Sequence, residues 1–272
     1  MSGITLKTPA KINLFLEITG RRVDGYHSLS TVMQTVGIFD TVTVKKSDVT
    51  ELRCSDPELE TADNLCVKAA RLFSETFGTG GAEIILEKSI PSGAGLGGGS
   101  SDAAAVLKAM RALYGVDADD KTLEKEAVRL GADVPFFIRG GTQYCAGIGE
   151  VLTPLPWYKD RFVVVTGRQK VSTPLAYRLA DGIEYEKRHA GELIASLYEK
   201  GDKPFFNRFA DLMSGDGRIS VLKKHGAGNI CLTGSGSALF SRMKESVRGA
   251  FDTLSALGYK VFLCSSVKSV DF

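Results

Sequence analysis

Five glycines among the seven residues from Gly93 to Gly99 leave one stretch of backbone free to fold around an anion. The full run is Pro91, Ser92, Gly93, Ala94, Gly95, Leu96, Gly97, Gly98, Gly99, Ser100 and Ser101. It leads into a helix: Ala103, Leu107, Met110 and Tyr114 recur at helical spacing, Ser100 or Ser101 is placed to cap the N-terminus, and Gly115 stands where the helix would end. Unpaired N–H groups at such a helix start, with the positive end of its dipole, favour a bound phosphate. A Walker-type loop is excluded, because Gly93 and Gly98 are followed by Gly99 and Ser100 with no lysine to reach the terminal phosphates. A dinucleotide fingerprint is matched by Gly93, Gly95 and Gly98, with Asp117 or Asp119 near the distance of a ribose contact. The context argues against it: the preceding strand has charged ends, Pro91 marks its exit, and a helical segment follows where a second apolar strand is required.

Other segments carry candidate chemistry. In Pro9-Ala10-Lys11-Ile12-Asn13-Leu14, Lys11 and Asn13 lie two apart on a strand and share a face, lining a cleft or forming a solvated edge. The loop Gly20 to His27 combines turn residues with Tyr26 and His27, suited to stacking on a planar ring and bonding its edge. Asp133, between a helix end and Phe136-Phe137, is either a helix-terminal turn residue or a buried carboxylate whose charge a lysine such as Lys11 would balance. Thr233-Gly234-Ser235-Gly236-Ser237 is a second glycine-rich turn between two apolar strands, which as a hairpin needs no ligand.

The elements that must position these residues follow from periodicity. Strands are expected at Ile12 to Ile18, Val36 to Val44, Ala82 to Lys88, Thr142 to Cys145, Phe162 to Val165, Ile230 to Leu232, Ala238 to Ser241 and Val261 to Cys264. Helices are expected at Leu65 to Phe77, Ser101 to Tyr114, Thr122 to Leu130, Pro174 to Ala180, Gly191 to Lys200, Pro204 to Met213 and Glu245 to Leu257. Helix pairs between strands of alternating pattern imply an α+β fold with largely antiparallel sheets, and Pro154 and Pro156 suggest a domain boundary. With 272 residues the chain can hold one large or two modest domains. A net charge of +2, without a basic stripe interleaved with aromatics, argues against a nucleic-acid partner. The five cysteines are widely spaced without a Cys-x-x-Cys pair, as expected of reduced, buried thiols. With neither a signal-like N-terminus nor an apolar run of membrane-spanning length, the expected location is the cytoplasm, away from a membrane.

Taken in order, the Pro-Ala-Lys-x-Asn segment, the glycine run and the late Thr-Gly-Ser-Gly-Ser turn resemble the three motifs of the GHMP family of small-molecule kinases. Pro9 through Leu16, Gly25-Tyr26-His27 and Gly131 through Phe137 extend the resemblance to a branch acting on a cytidine diphosphate-linked methylerythritol in non-mevalonate isoprenoid synthesis. It implies a two-domain GHMP kinase fold: an N-terminal ATP-binding domain (1–157) of the ribosomal-protein-S5 domain-2-like type and a C-terminal α+β GHMP domain (158–272). The active site would lie between them. It further implies transfer of the ATP γ-phosphoryl group to the 2-hydroxyl of this small-molecule substrate, with Mg2+. By the same resemblance Asp133 is the base and Lys11 its catalytic neighbour, and Pro91 to Ser101 wrap the triphosphate, with Ser100 or Ser101 able to meet the ion or a phosphate. Tyr26, His27 and Tyr177 clamp the cytosine, Tyr177 being either this stacking aromatic or helix packing, Asn13 meets the substrate near the reacting hydroxyl, and Gly234, Ser235 and Gly236 approach its diphosphate. A homoserine or mevalonate type of kinase would share the glycine loop without needing Gly25-Tyr26-His27. A dinucleotide-dependent oxidoreductase would leave Lys11 and Asp133 without roles.

Overall fold

A computed structural model describes residues 3–167, 172–181, 188–198, 205–213 and 215–268. In chain order its strands are Ile4–Arg21 (β1), His27–Ser47 (β2), Glu51–Cys54 (β3), Gly81–Glu87 (β4), Thr142–Ala146 (β5), Val151–Pro154 (β6), Arg161–Val165 (β7), Phe206–Asn207 (β8), Ile230–Leu232 (β9), Leu239–Arg242 (β10) and Val261–Ser265 (β11). The helices are Leu65–Phe77 (α1), Gly98–Tyr114 (α2), Asp120–Ala127 (α3), Val134–Arg139 (α4), Thr173–Asp181 (α5), Ala190–Tyr198 (α6), Gly217–Lys224 (α7) and Arg248–Ala256 (α8).

Two long strands organise the first half. β1 and β2 pair antiparallel from Ile4↔Val44 to Arg21↔His27, joined by a turn in which Gly25 takes φ 86°. Every residue of β1 from Thr8 to Ile18 is buried, so this strand is covered on both faces. Its register shifts between Pro9 and Ala10 and between Asn13 and Phe15, bulges that bend the strand around the segment carrying Lys11. Among the described residues, β1 to β6 and β8 form one mixed sheet of seven strands, while β11, β7, β10 and β9, in that order, form a four-stranded antiparallel sheet.

Helix α2 lies at the centre of the first half, with every residue from Ser101 to Met110 buried. The small side chains Ala103, Ala104, Ala105 and Ala109 let its backbone approach α1 and the first sheet closely, and they share a core with Phe73, Ile84, Val106 and Phe136. A second core joins the sheets, bringing Ile12, Leu14 and Val36 against Phe162 and Phe240. Beyond the four-stranded sheet, Leu222 of α7 and Leu254 of α8 cover Val163 and Val165 of β7.

Local expectation fails where distant partners intervene. Of the helix expected over Pro204 to Met213, Pro204 lies outside the described residues; Phe206–Asn207 is a strand parallel to β1, and Arg208–Met213 is a 3-10 turn. Asn207 causes this: its Nδ2 donates to Leu232 O (2.8 Å) and Gly234 O (2.9 Å), while its Oδ1 accepts from Phe209 N (2.9 Å). The helix expected over Glu245 to Leu257 begins as a 3-10 turn, and the one expected from Thr122 starts at Asp120, where Asp119 caps it by accepting from Thr122 N at 2.8 Å. Lys200, the expected end of α6, lies outside the described residues. The short α4 and the polar α7 carry too little apolar periodicity to be read beforehand.

The two halves are also joined by a buried ion pair. Glu17 of β1, fully buried, accepts from Arg208 Nε (2.8 Å), Arg208 Nη2 (2.5 Å), Ile18 N (2.8 Å) and Arg188 N (3.1 Å). Truncating one member of a buried, hydrogen-bonded ion pair is strongly destabilising, so Glu17→Ala should lower unfolding free energy by about 3–5 kcal/mol. Urea denaturation measures this, and a loss under about 1 kcal/mol, the value of an exposed pair, would refute the assignment.

Candidate active site

Period two along β1 places Lys11 and Asn13 on one face, as expected, and the Lys11 Nζ donates to Asn13 Oδ1 at 2.7 Å. Lys11 is only 3% exposed, and its ammonium lies 3.5 Å from Asp133 Oδ2. Asp133 occupies the N-cap position of α4, the turn position anticipated for it, yet its side chain makes no capping bond. Its carboxylate instead faces Lys11 across the floor of a cleft of about 630 Å³ that both residues line.

The glycine run forms one wall. Gly93, Gly95 and Gly97 take φ of 70°, 80° and 72°, values an L side chain rarely adopts, and the alternation turns the loop into a cradle of backbone. The loop is pinned where its carbonyls meet neighbouring segments: Lys11 N donates to Leu96 O (2.9 Å) and Ala238 N to Ala94 O (3.0 Å). The cap expected at Ser100 or Ser101 is replaced by Gly97, whose positive φ starts the helix at Gly98 without a side-chain cap. The first bond of that turn runs from Ser101 N to Gly97 O (2.9 Å), so the N–H groups of Gly98, Gly99 and Ser100 have no intrahelical acceptor. Ser100 lines the cleft, whereas Ser101 is 2% exposed and lines neither cavity beside the loop.

At the other end, His27 stacks on Tyr177 with ring centroids 4.7 Å apart and 18° between planes, and Phe209 meets Tyr177 edge-on at 5.0 Å. Tyr26 stands exposed at the same rim. Burial, and after it the charge of Asp133, pushes the Tyr177 phenol above its ordinary pKa, so it stays a neutral hydroxyl. The residue before Ser172 in the Tyr177 segment, Val171, lies outside the described residues. Asp181, absent from the sequence reading, holds His27, with Nε2 and Oδ1 2.6 Å apart. The late turn joins β9 to β10 as the expected hairpin and also reaches the cleft: Gly234 and Ser235 line it, Gly236 does not, and the Ser235 and Thr173 hydroxyls lie 2.8 Å apart.

Behind the glycine loop is a second cavity of about 380 Å³, shared by Pro91 to Ser100 with Leu59, Asn64, Leu65 and Lys88. Lys88 bridges two buried carboxylates that sequence reasoning missed, donating to Asp40 and, at 2.7 Å, to Asp102 Oδ2. Asp40 also accepts from Ser89 N and Ile90 N, and Asp102 Oδ1 accepts from Thr8 Oγ1 at 2.8 Å. Burial, and the neighbouring charge of Asp40, push Asp102 up to about 7 against the pull of Lys88. Among the described residues no three His, Cys, Asp or Glu side chains are grouped to hold a metal, and no helix is long and apolar enough to cross a membrane.

Residues 64–141 match the GHMP kinases N terminal domain. The chain is 47% identical to a 4-diphosphocytidyl-2-C-methyl-D-erythritol kinase of Prochlorococcus marinus over 64% of its own length and 57% of that protein's, less than two thirds of the relative. It is 36% identical to a 4-diphosphocytidyl-2-C-methyl-D-erythritol kinase of Clostridium tetani over 96% of its own length and 99% of the relative's. A crystal structure of 4-(cytidine 5'-diphospho)-2C-methyl-D-erythritol kinase superposes with a TM-score of 0.83 at 34% identity, covering 97% of this chain and 99% of that one.

The Asp102 cluster gives a pH signature. An acid whose folded pKa is raised keeps, in the native state, a proton that the unfolded chain has released, so its contribution to stability falls as pH rises from the unfolded value near 3.8 to the folded value of about 7. The raised pKa of Lys88 acts only above its ordinary 10.5, outside this window. Asp102→Asn removes the titration while Thr8 can reverse its hydroxyl, so between about pH 4 and 7 the wild type should lose stability relative to the variant. Urea denaturation at several pH values tests this, and parallel pH curves would be inconsistent with it.

Proposed function

The chain belongs to the 4-diphosphocytidyl-2-C-methyl-D-erythritol kinases of the GHMP kinase family, and from that membership we propose that it transfers the γ-phosphoryl group of ATP to the 2-hydroxyl of that cytidyl substrate, giving the 2-phosphate and ADP. The observation that carries the reading is the Lys11 to Asp133 approach of 3.5 Å on the floor of the cleft, with the glycine loop on one side and the Tyr26, His27 and Tyr177 aromatics on the other.

An alcohol is a weak nucleophile, so Asp133 takes its proton as the new O–P bond forms. Lys11 places positive charge beside the entering oxygen and the transferring phosphoryl group, where negative charge accumulates. Backbone N–H donors of the glycine loop and the start of α2 hold the phosphates in place of a Walker lysine. The purine enters the second cavity against Leu59 and Leu65, at the far side of the loop. Tyr26 and Tyr177 offer aromatic faces to the cytosine, His27 adds polar edge contacts, and Gly234 and Ser235, in the turn that Gly236 completes, approach the diphosphate. Asn13 has its amide oxygen engaged by Lys11 and Gly234 N, so it meets substrate through Nδ2, which also donates to Thr31 Oγ1 at 2.9 Å.

Magnesium fits as a companion of the nucleotide: Ser100 and Asp133 line the cleft with oxygen donors, and this ion keeps several waters and needs few protein ligands. When bound it neutralises phosphate charge. The domains divide at 157/158 under this reading, the glycine loop belonging to the first, and five free cysteines suit an enzyme of the cytoplasm.

The deciding assay is ADP release with ATP and magnesium against the cytidyl-methylerythritol diphosphate, mevalonate and homoserine. Turnover confined to the first is expected, and turnover of another alcohol would overturn the substrate assignment. Asp133→Asn should lower kcat by about 10²–10⁴-fold at unchanged ATP affinity, and near-normal turnover would remove it from the role of base. Tyr26→Ala should raise KM for the cytidyl substrate and leave ATP affinity intact, because it removes binding common to ground and transition states. An equal loss for ATP would contradict that placement.

A further inference from the structure

The side chain of Thr233 has no role in the chemistry above, yet the three segments that do meet at its hydroxyl. Thr233 is fully buried at the start of the late turn. Its Oγ1 accepts from Asn13 N at 3.1 Å and lies 3.3 Å from Gly95 O and 3.2 Å from Asn13 Oδ1, while the next residue, Gly234, donates its N–H to Asn13 Oδ1 at 2.9 Å. A hydroxyl has one proton and an amide oxygen two lone pairs. The shorter bonds from Lys11 Nζ and Gly234 N fill the Asn13 oxygen, which leaves the Thr233 proton to the Gly95 carbonyl. The hydroxyl therefore ties the backbone of β1, one residue pair from Lys11, to the glycine loop.

The surroundings leave this link little slack. A Cβ on Gly95 would stand 2.2 Å from Thr233 O, and one on Gly234 would stand 3.0 Å from the Gly95 Cα. The two glycine turns thus touch backbone to backbone, with Thr233 as the side chain that joins them.

We infer that Thr233 is a positioning residue for phosphoryl transfer: its hydroxyl sets the glycine loop, which holds the phosphates, at a fixed distance from the Lys11 and Asp133 pair. This rests on the reading of those two residues as the reacting pair. In-line transfer is sensitive to misplacement on the scale of 1 Å, and among the described residues the loop and β1 are otherwise joined here by the Lys11 N to Leu96 O bond and side-chain packing.

The test compares Thr233→Val, which keeps the shape and loses the hydroxyl, with Thr233→Ser, which keeps the hydroxyl, in the full-length enzyme well below the Tm of each variant. The valine variant should lose about 10- to 100-fold in kcat while KM for the cytidyl substrate stays within about twofold, and the serine variant should recover most of the loss. A valine variant with lowered Tm but wild-type kcat would make Thr233 purely structural and overturn the inference, as would a serine variant as slow as valine. Asp133→Asn, assayed alongside, separates the premise: if it too turns over normally the reacting pair is misassigned, whereas if it alone is slow the positioning role fails.

Discussion

An ammonium group almost wholly withdrawn from water must be surrounded by oxygen atoms, and the structure around Lys11 follows from that requirement. The amide oxygen of Asn13 lies on the same face of β1, the Asp133 carboxylate comes from the start of α4, and the Leu96 carbonyl takes the Lys11 N–H. Satisfying the charge brings the strand and the short helix together, and the separate bond from the Lys11 backbone N–H fixes the glycine loop beside them. Asp133 has no capping bond at the head of α4, which frees its carboxylate for the cleft.

The second constraint is steric. Gly95 and Gly234 sit where a methyl group on either would strike the backbone of the other turn, so both turns must be glycine-bearing for the distance between them to exist. Asn13 uses that closeness: the late turn supplies the N–H of Gly234 to its oxygen, leaving the carboxamide in one orientation with Lys11 bound to it. At Gly95 and Gly234 glycine is thus required by backbone approach as well as by positive φ.

Features with local causes were legible in the sequence, and features with distant causes were not. The common face of Lys11 and Asn13 follows from the pleat, and the boundaries of α1 follow from Asn64, which accepts from Cys66 N, and from Gly78 at φ 65°. Helix α2 starts at Gly98, three residues before the start that its cap-like serines predict, because Gly97 makes the turn by its backbone alone. Asp40 gave no signal: one aspartate in an alternating strand is read as a solvent-facing position, and its partner Lys88 lies 48 residues away. Thr233 belongs to the hairpin that its local sequence predicts, but its bond to Asn13 spans 220 residues.

Lys11 with Asp133 and Lys88 with Asp40 and Asp102 are built from the same two residue types within one half of the molecule, and their surroundings give them different capacities. At Lys88 both carboxylates are buried and each receives further bonds, from backbone N–H groups at Asp40 and from Thr8 at Asp102, so a substrate hydroxyl finds no free approach. At Lys11 the ammonium is buried while Asp133 is 36% exposed to the cleft and 3.5 Å distant, a separation longer than a hydrogen bond. An incompletely satisfied carboxylate beside a fixed positive charge has lone pairs to offer an incoming hydroxyl, and a saturated one does not. The Lys88 cluster therefore holds the first sheet and α2 together, whereas the Lys11 and Asp133 pair is left open to the cleft.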